Sequence, residues 1–138
     1  MVTYTRISPN RTSPRNHEID TITIHCAVGQ FTAKQLCDLS NFTTYSSTNG
    51  SSCNYTVGWD GSIGLCVEEG DRSWCSSSKS NDHRAITIEV ASDRTHPYAV
   101  TNQAYEALIK LVADICKRNN IKELKWKGDK NLIGQVDK

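Results

Sequence analysis

The segment TITIHCAVGQ, residues 21–30, alternates isoleucine with threonine and then passes through a histidine into small residues. Period-two alternation of β-branched residues predicts a strand over residues 21–25, with Ile22 and Ile24 on one face. His25 ends this strand, and open α/β sheets place functional groups at the ends of strands. A histidine at this position can be a buried residue bonded to a backbone carbonyl, a catalytic base or a metal ligand.

Patterns further along the chain predict a helix and a hairpin. A capping-box pattern that begins at Thr32 predicts a short helix over residues 33–41. The run NYTVGWDGSIGLCVEE, residues 54–69, predicts two antiparallel strands joined at Asp60-Gly61. A tight hairpin turn needs positive φ, and the Asp-Gly pair adopts it readily.

Another strand and a long helix follow. AITIEV, residues 85–90, is rich in β-formers, and Thr101 is the predicted N-cap of a helix that runs to about Asn119 with one apolar stripe. The polar residues 43–52 and 70–84 predict loops between the elements. Strands interleaved with helices predict an α/β fold, with a mixed central β-sheet flanked by helices.

Length and composition limit the possible functions. The 138 residues suit one domain, of which residues 1–20 are predicted to form an extended arm. A formal net charge of +1 argues against a nucleic-acid partner bound through charge. No apolar run approaches the roughly 18 residues of a membrane span, and the N-terminus lacks the apolar core of a signal peptide. The six cysteines show no CxxC spacing and are expected to be reduced core residues.

Glu89 is the second candidate for chemistry, because a carboxylate inside the run ITIEV is costly to bury without a partner. Alternation places it on the same face as Thr87, which either points to solvent or lines a polar cavity. A histidine at one strand end and a glutamate near another would supply a metal ligand and a general base, the parts of a zinc hydrolase. His17 and His96 lie in polar, turn-like surroundings and are expected to be solvated.

Three motifs in order carry a resemblance to a known family: TITIHCA, then SSCNYTVGWDGSIGLCVEE, then NDHRAITIEV. From about residue 15 to the end, the sequence resembles the type 2 N-acetylmuramoyl-L-alanine amidases. These include relatives of the peptidoglycan recognition proteins and, most closely, the endolysins of clostridial phages and prophages. The resemblance implies a mixed sheet flanked by helices, zinc in a groove, and cleavage of the amide between N-acetylmuramic acid and L-alanine in peptidoglycan.

The resemblance also implies roles for single residues. His25 matches the first zinc ligand of the family, and Glu89 matches the glutamate that many members use as general base. Cys53 stands where some phage relatives have a catalytic tyrosine, which favours the glutamate version of the mechanism. Four further residues are expected to contact substrate: Asn54, Tyr55, Trp74 and Arg84.

The end of the chain departs from the family pattern. Family members carry a second zinc histidine and a third ligand downstream of the long helix, whereas here no histidine follows His96 and no cysteine follows Cys116. We therefore expect an amidase domain that is incomplete at its C-terminal end, with the remaining zinc ligands beyond Lys138. The alternatives are a non-catalytic peptidoglycan-binding module without a complete zinc site, and an unrelated α/β domain.

The resemblance finally implies a setting for the protein. It would be made in the bacterial cytoplasm without a signal peptide and would act on the cell wall after release. Its partner would be peptidoglycan, with neither nucleic acid nor membrane insertion involved. We expect a monomer, or a dimer through the unfinished C-terminal edge.

Overall fold

Five strands form one mixed sheet in the computed structural model, which describes residues 1–40, 50–126 and 128–132. The chain contains strands β1 (Tyr4–Thr5), β2 (Arg11–Thr12), β3 (Thr21–Cys26), β4 (Tyr55–Val57), β5 (Ile63–Leu65), β6 (Arg72–Ser73) and β7 (Ala85–Val90), α-helices α1 (Ala33–Ser40), α2 (Lys79–Arg84) and α3 (Asn102–Arg118), and a 3-10 helix (Lys130–Leu132). The strand order in the sheet is β1-β5-β4-β7-β3, and β2 pairs with β6 in a separate two-stranded sheet.

Parallel pairing dominates this sheet. Strands β3 and β4 lie parallel to β7 on its two sides, β5 is antiparallel to β4, and β1 adds to β5 in parallel. Parallel neighbours need crossover connections, and helices supply them. The predicted fold class, a mixed sheet flanked by helices, is confirmed.

The two faces of the sheet carry different residues. On one face an apolar core packs against α3, and on the other face α1 lies over β4 and β5, where the Thr56 hydroxyl donates to the Ala33 carbonyl. Alternation along β7 directs its isoleucines and valine towards α3 and directs Thr87 and Glu89 to the opposite face. The buried core comprises Tyr55, Val57, Ile63, Ile86, Ile88, Val90, Ala104, Leu111 and Ile115.

Both predicted helices form, because their start signals are local. The Thr101 hydroxyl accepts a hydrogen bond from the Ala104 N–H at the start of α3, and Asn119 is the C-cap. Thr32 and Gln35 exchange side-chain and backbone bonds as a capping box before α1. The predicted last residue of α1, position 41, lies outside the described residues, as does most of the predicted loop 43–52.

The β4–β5 hairpin forms as predicted, but its turn is wider than the expected two-residue type. Five residues, 58–62, connect the strands, and the Gly58 N–H donates to the Ser62 carbonyl. Only Gly61 has positive φ, at 80°, while the Asp60 carboxylate accepts bonds from the Ser62 N–H and hydroxyl. The aspartate thus stabilises the turn through its side chain rather than through a left-handed backbone.

Residues 70–84 contain regular structure, so the prediction of one long polar loop is wrong. They include β6 and α2, and the Ser78 hydroxyl caps α2 by accepting from the Asn81 N–H. These elements are short, and polar contacts rather than an apolar stripe stabilise them. No helix in the described ranges is long and apolar enough to cross a membrane.

The first twenty residues pack on the body of the domain. They contribute β1 to the sheet and β2 to the small second sheet. The Arg15 guanidinium, half-buried, donates to the backbone carbonyls of Glu69, Asp71, His83 and Ala85. This single side chain therefore connects the N-terminal segment to both ends of the segment between β5 and β7.

A charged network joins the end of α3 to the sheet. The Arg118 guanidinium donates to both carboxylate oxygens of Glu69 at 2.6 and 2.7 Å, and the Tyr55 hydroxyl donates to one of them at 2.6 Å. Burial raises the pKa of Glu69, but the bonds from Arg118 and Tyr55 outweigh burial and hold the pKa below its ordinary value. The ionised carboxylate is therefore a stabilising partner at neutral pH.

We expect Arg118→Ala to lower the free energy of unfolding by about 1–2 kcal/mol at neutral pH, because it leaves a half-buried carboxylate without its cation. A carboxyl group whose pKa is lower in the folded than in the unfolded state stabilises the fold fully at pH values above its pKa in the unfolded state. This stabilisation is lost as the pH falls through its pKa in the folded state. The difference in the free energy of unfolding between wild type and Arg118→Ala should therefore become smaller at acidic pH. Urea unfolding at several pH values measures it, with Arg94→Ala at an exposed position as control. A pH-independent difference would contradict this account.

Candidate functional site

His25 and Glu89 face each other across neighbouring parallel strands. The register of β3 and β7 places His25 directly opposite Glu89, and His25 Nδ1 lies 3.4 Å from Glu89 Oε1. Their side chains are 35% and 20% exposed, so solvent reaches both groups. The two residues that the sequence singled out for chemistry therefore meet at one edge of the sheet, near the carboxyl ends of the strands.

Cys75 is the third member of this cluster. Its Sγ lies 3.5 Å from His25 Nδ1 and 3.9 Å from Glu89 Oε1, and it comes from the segment between β6 and α2. The three side chains can offer ligand atoms that all lie within 4.8 Å of one another. No other group of this kind occurs among the residues that the structure describes.

A buried carboxylate positions the Cys75 segment. Asp82, 2% exposed, accepts hydrogen bonds from the Cys75 N–H at 3.0 Å, from the Ser76 N–H at 3.2 Å and from the Ser76 hydroxyl at 2.6 Å. Asp82 lies in α2, whose C-terminus leads directly into β7. The thiol is thus fixed relative to the same strand that carries Glu89.

The electrostatics of the cluster raise the pKa of both His25 and Cys75. The hydrogen bond that His25 donates to the Glu89 carboxylate raises the pKa of His25 above its ordinary value, although burial acts in the opposite direction. Burial raises the pKa of the Cys75 thiol, and the neighbouring Cys53 and Glu89 raise it further. An ion that binds Cys75 as a thiolate must therefore displace the thiol proton, which makes binding stronger as pH rises.

Asn54 lies within the framework beneath the cluster, and its predicted contact with substrate stays a prediction. The residue is fully buried, and its side-chain amide donates to the carbonyls of Val67 and Glu68. Its side-chain oxygen accepts from the N–H and the hydroxyl of Thr87. All these bonds join β7 to the segment after β5, which makes Asn54 a structural residue beneath the site.

Tyr55 and Arg84 lie away from the cluster, and their predicted contacts with substrate stay predictions. Tyr55 is 7% exposed and pairs with Ile88 in register, so it belongs to the core face that packs on α3, opposite to Glu89. Arg84 precedes the first residue of β7, about 16 Å along the strand from Glu89. Its guanidinium Nε donates to the Asp20 carboxylate at 2.9 Å. Sequence proximity to a strand did not indicate which face or which end a side chain occupies.

Trp74 remains a prediction for substrate contact. It precedes Cys75 directly and is half-buried, and its indole N–H donates to the Thr12 hydroxyl at 3.0 Å. Its backbone N–H donates to the hydroxyl of Ser52. The indole therefore connects the N-terminal segment to the chain next to the cluster.

The cysteines divide into two groups, and only one matches the prediction of reduced core residues. None of the six forms a disulfide, and Cys37, Cys53 and Cys66 are buried as expected. Cys26 is exposed at the end of an edge strand, and Cys75 and Cys116 are partly exposed. Cys75 is the functional candidate that the sequence analysis missed. A thiol beside a tryptophan in a polar segment was its only signal, and no local pattern connects it to His25.

Solved structures share this fold. The chain is similar to a selenomethionine derivative of AmpD, with 17% identity over 86% of this chain and 75% of that chain and a TM-score of 0.66. It is similar to the endolysin N-acetylmuramoyl-L-alanine amidase LysCS from Clostridium intestinale URNW, with 18% identity, 91% and 81% coverage and a TM-score of 0.65. It is also similar to Drosophila peptidoglycan recognition protein SA, with 14% identity over 89% of this chain and 77% of that chain and a TM-score of 0.67. The fold is that of the amidases and peptidoglycan recognition proteins.

The sequence identifies the family within that fold. The pattern of the N-acetylmuramoyl-L-alanine amidase family matches residues 15–135, which is most of the chain. The chain therefore belongs to the N-acetylmuramoyl-L-alanine amidase family, as the ordered motifs predicted. No protein with a curated description matches it.

The structural role of Asn54 leads to a test. We expect Asn54→Ala to lower the free energy of unfolding by about 1–3 kcal/mol, because buried carbonyls and the Thr87 N–H lose their partner. Asn102→Ala, at the exposed start of α3, is the matched control and should change stability by less than about 0.5 kcal/mol. Denaturant unfolding measures both. Unchanged stability together with weaker binding of peptidoglycan would instead restore Asn54 as a substrate contact.

Proposed function

We propose that the chain is a zinc-dependent amidase that hydrolyses the bond between N-acetylmuramic acid and L-alanine in peptidoglycan. One observation carries the proposal: in a chain of the amidase family, His25 Nδ1 and Glu89 Oε1 lie 3.4 Å apart across two paired strands. An imidazole and a carboxylate at one sheet edge are the metal ligand and the proton acceptor that metal-assisted hydrolysis requires.

The donor atoms of the cluster fit zinc. Imidazole nitrogen, thiolate sulfur and carboxylate oxygen are the usual zinc ligands in proteins, and one atom of each type is present here within 4.8 Å of the others. In the proposal, His25 binds the ion through Nδ1. When bound, zinc polarises the carbonyl of the scissile amide and lowers the pKa of a bound water to about 7.

Glu89 moves the proton in this mechanism. Its carboxylate accepts a proton from the attacking water as the water oxygen bonds to the carbonyl carbon of the lactyl group. It then delivers this proton to the nitrogen of L-alanine as the carbon–nitrogen bond breaks, which leaves a carboxylic acid and a free amine. The 20% exposure of its side chain allows water to approach the carboxylate.

The surroundings of the cluster suggest how substrate is held. Trp74, next to Cys75, is proposed to contact the sugar or the stem peptide, because an indole offers a large apolar surface beside the site. The substrate is the bacterial cell wall, which the enzyme would reach after release from the cytoplasm. Family membership and the similarity to endolysin and peptidoglycan-recognition folds support this proposal.

Replacement of Glu89 tests the mechanism. We expect Glu89→Gln, with zinc supplied, to release free amino groups from purified sacculi about 10²–10⁴-fold more slowly than wild type, because the amide cannot accept the proton. Wild type should release amino groups without releasing reducing sugars, which separates amide cleavage from glycan cleavage. Amine-specific derivatisation followed by mass spectrometry of the products measures both.

Glu106→Gln, at an exposed position of α3, is the matched control and should retain the wild-type rate. A Glu89→Gln enzyme that digests sacculi at nearly the wild-type rate would contradict the proposed role of the carboxylate. A wild-type chain that sediments with sacculi yet releases no amino groups at any zinc concentration would favour the binding module over the enzyme.

A further inference from the structure

Cys75 occupies a position that its own chain segment fixes. Strand β6 and helix α2 bracket the segment, and the buried Asp82 carboxylate bonds the N–H groups of Cys75 and Ser76. Asn81 adds a bond from its side-chain amide to the Thr23 hydroxyl on β3, the strand of His25. The thiol is therefore held against both strands of the His25–Glu89 pair by contacts that do not involve the thiol itself.

The distance between His25 and Cys75 matches the edge of a tetrahedral zinc site. With zinc–ligand bonds of about 2.0–2.3 Å, adjacent ligand atoms in a tetrahedron lie about 3.3–3.6 Å apart. His25 Nδ1 lies 3.5 Å from Cys75 Sγ and 3.4 Å from Glu89 Oε1, and the sulfur lies somewhat farther, at 3.9 Å, from that oxygen. The nitrogen and the sulfur fit two adjacent corners without movement, and the carboxylate faces the space next to them.

The same geometry argues against a thiol nucleophile activated by histidine. In such a relay the nucleophile and the carboxylate bond to opposite nitrogens of the ring. Here both Cys75 and Glu89 contact the same nitrogen, Nδ1 of His25. Three groups that converge on one point are the arrangement of a metal site rather than of a relay.

We infer that Cys75 is a thiolate ligand of the divalent ion that His25 binds through Nδ1, with Glu89 beside them as the proton acceptor. The inference rests on the proposed function for the identity of the ion and deepens it. It supplies a second ligand from within the described chain, where the sequence offered only His25. On binding, the thiol proton leaves to solvent and the sulfur takes its place in the coordination shell.

Cobalt substitution tests this ligand directly. Titration of the purified wild-type chain with Co²⁺ should produce the near-ultraviolet absorption of a sulfur-to-cobalt charge transfer, and Cys75→Ser should lose that band. Cys26→Ser, which removes an exposed thiol next to His25 in sequence, is the matched control and should keep the band. Glu89→Gln should also keep it, since the carboxylate is not the source of the sulfur signal.

Competition with a zinc-binding dye gives the affinity. Replacement of a residue that only hydrogen-bonds a metal ligand weakens metal binding by roughly 10–100-fold. Because Cys75 is proposed to bind the ion directly, Cys75→Ser should weaken zinc binding by more than this. Far-ultraviolet circular dichroism establishes that the variant is folded. A second measurement needs no variant: saturating zinc should slow alkylation of Cys75 by iodoacetamide in wild type, read by peptide mass spectrometry, while Cys26 continues to react.

The outcomes separate this inference from the proposed function. Zinc-dependent amide cleavage without a sulfur–cobalt band, and with Cys75 alkylated equally fast with and without zinc, would overturn the Cys75 ligand and leave the enzyme assignment standing. A band that disappears only in Cys75→Ser would support the ligand even if the chain released no amino groups from sacculi.

Discussion

The parallel pairing of β3 with β7 is the constraint on which the site depends. Six consecutive residue pairs fix the register, and the fifth pair is His25 with Glu89. Because side chains alternate across a strand, a slip of one residue would turn either group to the opposite face of the sheet. The apolar residues of β7 prevent such a slip, since Ile86, Ile88 and Val90 must all remain in the core beneath α3. Burial on one face thus determines the chemistry on the other.

A polar interior supports the site from below. On the face opposite α3, buried Asn54, Thr87 and Ser73 bond to one another and to neighbouring backbone groups. A fully satisfied network of this kind is rigid, because each member would lose partners that water cannot replace. It connects the strand of Glu89 to β6, from which the chain continues to Cys75. The carboxylate and the thiol therefore rest on one continuous hydrogen-bonded layer.

The segment that carries Cys75 shows how a polar stretch can be specified without an apolar pattern. Asp82 is almost fully buried and bonds the backbone of the turn, while Ser78 caps α2. Several N–H and hydroxyl donors compensate a buried carboxylate for its lost hydration. Such a carboxylate can therefore fix the conformation of a turn without apolar side-chain packing. The identities of 14–18% with solved structures of this fold mean that such local devices must be established in each chain.

The sequence by itself determined the elements whose signals are local: the helix capped by Thr101, the capping box before α1, the strands, and His25 and Glu89 as unusual residues in them. The ordered motifs also determined the family. Only the tertiary structure decided that Cys75 joins these two residues, that Asp82 holds it there, and which framework groups Asn54, Tyr55 and Arg84 bond to. The physical reason is that periodicity and capping record contacts within a few residues along the chain. Burial and convergence at a sheet edge arise from pairings between distant segments, which no local pattern encodes.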